Sequence, residues 1–204
     1  MLTPEHVRAA AGWAGRRFAL VPEDAFERPA PDWTPRRTLD HLVDTLELYS
    51  AYVGTRASGR LAPPREGDPG AGRSELVAQL ALSAEKLTGV LAGLAEGERA
   101  FHPSGAADRT GWIGMACTEL LVHTREACGP AEDDAQLDSL AGAVVDRVLP
   151  WAPPGDGWGR LLQATGRAPL GDVAPADPDW WWQSAPLAEW DGAPHRRTSP
   201  PQWR

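Results

Sequence analysis

The sequence predicts an all-α chain: a four-helix bundle with one extra helix, followed by an irregular arm rich in Trp and Pro. Three observations predict it. Five stretches place apolar residues at the 3.6-residue period of an amphipathic helix. Thr-Pro signals stand where helices should open, and Gly-Pro where one should stop. No stretch alternates convincingly enough to be a strand.

The first helix is expected over residues 3 to 20. Thr3 can cap it, Pro4 fits its first position, and Val7, Ala11, Ala14 and Phe18 form its stripe. Residues 22 to 33 (PEDAFERPAPDW) break the pattern. Thr34-Pro35 opens a second helix to about Tyr52, striped by Leu39, Leu42, Val43, Leu46 and Val53. Residues 54 to 72 form a loop. Ser74 is expected to cap a third helix to about Leu94, striped by Val77, Leu80, Leu87 and Leu91. A loop at 97 to 109 leads to a fourth helix over 110 to 128, ended by Gly129-Pro130. A fifth helix covers about 134 to 149.

From Trp151 the character changes. Prolines recur, and Trp gathers at 151, 158, 180, 181, 182, 190 and 203. One short helix is expected around 157 to 165. Such Trp content is unlike a disordered tail. The boundaries are therefore set at 1–150 for the bundle and 151–204 for an arm packed across it, with the triple Trp as its anchor.

The formal net charge of −8 argues against binding nucleic acid, which needs a basic face to displace counterions, and against an anionic membrane surface. No run approaches the ~18 apolar residues of a membrane span. The N-terminus lacks the basic start and apolar core of a signal peptide. Cys117 and Cys128, eleven residues apart on one helix, stand ~16 Å apart along its axis, beyond disulfide reach. Free thiols in a cytoplasmic protein, monomer or homodimer, are the expectation, with Cys117 in the core.

Chemistry concentrates at three residues. Glu119 and His123 are four apart, so their side chains leave one face of the fourth helix. Two ligands at that spacing can grip one cation, although the same spacing also serves plain ion pairs. The third ligand must come from another helix, and His41 on the second is the obvious donor. His41 lies ~140° around its helix from the main apolar stripe. Leu48 and Tyr52 share that side, which implies a second covered face beneath the Trp-rich arm. His6, His102 and His195 read as solvated residues in a first helical turn, a loop and the tail. Asp44, one turn after His41, can orient that imidazole or bind substrate. Trp33 and Trp112 are candidate walls of a cofactor pocket, or core.

These residues carry a family resemblance. Trp33-Thr-Pro-Arg-Arg-Thr-Leu-Asp-His41-Leu resembles the opening of the second helix in DinB-like proteins, and Glu119-Leu-Leu-Val-His123-Thr-Arg-Glu126 resembles their "E-L-x-x-H-x-x-D" helix. The His, Glu, His set resembles the mycothiol-dependent maleylpyruvate isomerase branch. The ending, with Trp151-Ala-Pro-Pro, Ala164-Thr-Gly-Arg167 and Pro186-Leu-Ala-Glu-Trp190-Asp-Gly, is similar to tails of actinobacterial members. The resemblance implies an up-down-down-up bundle with a metal between its second and fourth helices, held by His41, Glu119 and His123. Glu126 departs from the usual Asp. No one residue matches the branch's C-terminal catalytic arginine; Arg160 and Arg167 are the candidates.

Two neutral imidazoles and one carboxylate leave a net positive centre around a divalent ion. Three protein ligands also leave a position open, the catalytic rather than structural arrangement for zinc. Zinc is the expected metal, with nickel or iron as alternatives, because two His and one carboxylate also suit Fe(II). The implied co-substrate is a low-molecular-weight thiol such as mycothiol. The implied activity is a metal-dependent thiol transferase or isomerase acting on a small electrophilic metabolite. The alternative is a non-catalytic metal- or ligand-binding stress or detoxification protein.

Overall fold

In the computed structural model, which describes residues 1–28, 33–130 and 132–197, seven α-helices and one two-stranded hairpin are present among those residues. The helices are α1 (Pro4–Ala19), α2 (Glu23–Phe26), α3 (Pro35–Thr55), α4 (Arg73–Ala92), α5 (Arg109–Cys128), α6 (Asp138–Val148) and α7 (Gly157–Ala164). The hairpin pairs β1 (Ala100–His102) with β2 (Gly105–Ala107), Phe101 opposite Ala106.

The long helices α1, α4, α3 and α5 close a ring. α4 packs between α1 and α3, and α5 closes the opposite side against both. Each start has a local cause. Thr34 accepts a hydrogen bond from the Arg37 amide at 3.1 Å, and Asp108 accepts one from the Gly111 amide at 2.7 Å. Both satisfy N–H groups that the first turn leaves without helical partners. α4 begins one residue before the expected cap, with Gly72 rather than Ser74 at its N-cap. The chain leaves α3 through Arg56 in the left-handed region, φ 49°.

The ring interior is apolar and closed. Phe18, Leu39, Leu42, Leu46, Leu80, Leu87, Leu91 and Leu120 are fully buried, each such side chain stabilising by about 1.5–3 kcal/mol. Trp112 sits in this core, with Tyr49 and Tyr52 at ring separations of 5.0 and 5.8 Å.

α6 crosses α5 where Gly114 stands. A Cβ there would lie 2.5 Å from Val148 Cγ1, so glycine permits the approach. Residues 151–197 return over this layer. Trp158, Leu161 and Trp182 join the core, and Trp158 packs 5.9 Å from Trp13. Arg147, buried, ties the return down. Its Nε donates to Thr110 Oγ1 at 2.7 Å, its Nη1 to the Gln183 carbonyl at 2.9 Å, and its Nη2 to Asp108. Trp203 lies outside the described residues. No described helix is long and apolar enough to cross a membrane.

Candidate metal centre

α3 and α5 face each other across one side of the ring and bring His41, Glu119 and His123 together. One donor atom from each lies within 4.8 Å of the others. Glu119 Oε2 is 3.1 Å from His123 Nε2, one turn along α5, and 3.5 Å from His41 Nε2 across the groove. The side chains are 12%, 21% and 22% exposed, which sets the cluster at the margin of the core.

Protonation follows from the partners. His123 Nδ1 lies 2.8 Å from Glu126 Oε2. A carboxylate oxygen accepts, so a neutral His123 carries its hydrogen on Nδ1 and turns an Nε2 lone pair toward Glu119. Without a cation, that lone pair would confront a carboxylate oxygen that is buried and has no well-formed hydrogen bond. A proton is one remedy. Burial lowers the His123 pKa, but hydrogen bonds to Glu119 and Glu126 raise it further, to about 9. Burial raises the Glu119 carboxyl, yet hydrogen bonds from His123 and His41 bring it well below the usual range. A divalent cation is the other remedy. The donor set fits one: an anionic oxygen and two imidazole nitrogens converge within 4.8 Å of one another. Two His and one carboxylate suit zinc and Fe(II) alike.

Trp33, just ahead of α3, covers the imidazoles. Its ring stands 4.8 Å from His41 and lies stacked 6.1 Å from His123. Arg37 rests over the same indole at 4.7 Å. The ring over both imidazoles is thus Trp33, not a Trp of the C-terminal arm as expected. Thr45 Oγ1 is 3.4 Å from His41 Nε2.

Several candidates stand elsewhere. Asp44 does not meet His41: it pairs with Arg65 and accepts from the Gly67 amide at 3.2 Å, pinning the loop between α3 and α4. Trp112 is a correction to a pocket-wall role, since it is wholly buried and ringed by Tyr49, Tyr52 and His102. Arg160 donates to Asp146 at 2.7 Å and to the Pro153 carbonyl at 3.0 Å, holding α7 to α6. Arg167 does approach the centre, donating to Glu126 Oε1 at 2.9 Å.

His102 is also corrected. It lies on β1, only 4% exposed, among Tyr49, Trp112 and Trp182. Its Nδ1 accepts from the Ser104 amide at 3.1 Å, and burial pulls its pKa to about 3. Glu126, which the sequence marks only as a departure from the usual Asp, is the partner of His123, as its i+3 position allows. Thr45, one turn after His41, was missed, although its spacing offered the same kind of signal.

A model of the DinB superfamily matches residues 16–127. No curated protein matches the chain. Among solved structures, a crystal structure of a His-to-Ala mutant of the mycothiol-dependent maleylpyruvate isomerase aligns with a TM-score of 0.56. It covers 82% of this chain and 93% of that one at 13% identity, a likeness of fold. The superfamily match spans more than half of the sequence, from the end of α1 to the end of α5, and includes all three donor residues. The chain belongs to the DinB superfamily.

Proposed function

We propose that this chain is a metal-dependent enzyme that holds a divalent cation, zinc foremost, on His41, Glu119 and His123. It uses a low-molecular-weight thiol, such as mycothiol, to transform a small electrophilic metabolite by S-transfer or isomerisation. One observation carries this reading: Glu119 Oε2 is buried, 3.1 Å from His123 Nε2 and 3.5 Å from His41 Nε2. With His123 neutral, its Nε2 lone pair faces that carboxylate oxygen, an unfavourable contact that a proton or a divalent cation relieves.

A cation bound there supplies a Lewis-acidic centre at which a thiol is held as its thiolate near neutral pH. The chain's own residues do the rest. Glu126 keeps the His123 hydrogen on Nδ1 and so keeps Nε2 free for the ion. Trp33 roofs the imidazoles and excludes water from that side. Three protein donors leave room for a thiol, as a closed four-ligand site would not. The thiol itself is suggested by the fold neighbour, which is mycothiol-dependent.

The test is a calorimetric titration of zinc-loaded protein with mycothiol, bacillithiol and glutathione. Binding of at least one, lost in His41→Ala, is expected. Silence with all three overturns thiol use.

A further inference from the structure

Beyond His123, on the side away from the donor cluster, a second line of contacts leads out of the bundle. Glu126 splits its carboxylate between two partners. Oε2 meets His123 Nδ1 at 2.8 Å, and Oε1 accepts from Arg167 Nε at 2.9 Å. Arg167 does not belong to the bundle: it follows α7, 41 residues along the chain from Glu126. It is held there independently. Its Nη1 donates to the Thr165 carbonyl at 2.6 Å, and its backbone amide donates to the Leu162 carbonyl at 2.8 Å. The turn that aims it passes through Gly166 at φ 78°, where a Cβ would come within 2.8 Å of the Ala176 carbonyl. Only glycine fits such a turn without strain.

A carboxylate with one oxygen fixed by a guanidinium has little freedom to swing the other. An imidazole that ligates a metal characteristically holds its second N–H on a carboxylate, which fixes both tautomer and ring angle. Resting on the metal reading above, we propose that Arg167 is a positioning residue of the centre. It holds Glu126, and Glu126 holds His123 with Nε2 turned toward Glu119 and His41. The C-terminal segment is then a working part of the metal centre. The competing reading is an ordinary ion pair between partly exposed side chains, which would leave the centre indifferent to Arg167.

The experiment compares wild type, Arg167→Met, Arg167→Lys, Glu126→Gln and Arg99→Met. Zinc affinity is measured by competition with a chromophoric chelator, and the visible spectrum of each Co(II)-loaded protein is recorded. Arg99→Met cuts a different ion pair, the one between Arg99 and Glu189. Arg167→Met and Glu126→Gln are expected to weaken zinc binding by about 10- to 100-fold and to shift the Co(II) bands. Arg167→Lys should recover part of the loss, and Arg99→Met should match wild type. Wild-type affinity and spectrum in a folded Arg167→Met overturn the proposal, whatever Glu126→Gln does. So does an equal loss in Arg99→Met, which would mark general loosening. If Arg167→Met fails to fold by circular dichroism, Glu126→Gln and Arg167→Lys decide alone. A wild-type protein that takes up neither ion removes the metal reading itself, a distinct result.

Discussion

His123 Nε2 lies 3.1 Å from Glu119 Oε2, one turn apart on α5, while its Nδ1 lies 2.8 Å from Glu126 Oε2. The imidazole is therefore clasped by a carboxylate at each nitrogen. Only one of its two hydrogens survives when a cation occupies the inner side.

This clasp sets a pH dependence. In the metal-free chain the folded pKa of His123, about 9, lies above the unfolded value of about 6.5. The charged pair stabilises the fold fully below about pH 6.5 and loses that contribution as pH rises to about 9. Thermal melts in chelator should show Tm falling across this window, with a flatter slope in Glu119→Gln. Zinc must displace the same proton, so its affinity should rise over the window. The binding enthalpy should also vary with the ionisation enthalpy of the buffer.

His102 gives the opposite sign at lower pH. Its folded pKa, about 3, lies below the unfolded value, so its stabilisation is present above about pH 6.5 and is lost as pH falls toward 3. His102→Gln keeps an acceptor for the Ser104 amide but cannot take up the proton. Between pH 6.5 and 4.5, its urea midpoint should fall less than that of wild type.

Arg147 anchors the chain's return across α5 and α6. Removing it leaves Asp108 and the Gln183 carbonyl without their buried cation. Arg147→Met should cost ~3 kcal/mol, or about 6–12 °C in Tm for a chain of this size. Limited proteolysis should then cut first within residues 151–197.

Much of the fold was legible because helices announce themselves locally. Thr34-Pro35, the apolar stripes and Gly129-Pro130 mark ends that agree with α3 and α5 within about three residues. The hairpin was not legible, since Ala100 to Ala107 offers three residues per strand around Pro103 and Ser104, too few for alternation to register. At the site, Glu119 and His123 could be paired from i, i+4 spacing, and His41 from its motif. The roof was legible in part: Trp33 stood among the candidate walls, but the cover was expected from the arm, and only tertiary structure chooses between them. The link from Arg167 to Glu126 was not legible, since no local rule links residues 41 positions apart.

Trp33 is partly exposed, so its loss should cost the fold little. Trp33→Ala should leave zinc affinity within about threefold of wild type. It should weaken thiol binding by roughly 2- to 10-fold, the range of one aromatic contact. Calorimetry with zinc-loaded protein separates the two effects.

The most direct test is the metal content of the purified, zinc-reconstituted chain after gel filtration, measured by mass spectrometry of the element. One divalent ion per chain is expected in wild type, and well under one in His41→Ala, Glu119→Ala and His123→Ala, each folded by circular dichroism. A wild-type chain that retains no metal, or three variants that retain it in full, would contradict the assignment of His41, Glu119 and His123 as its ligands.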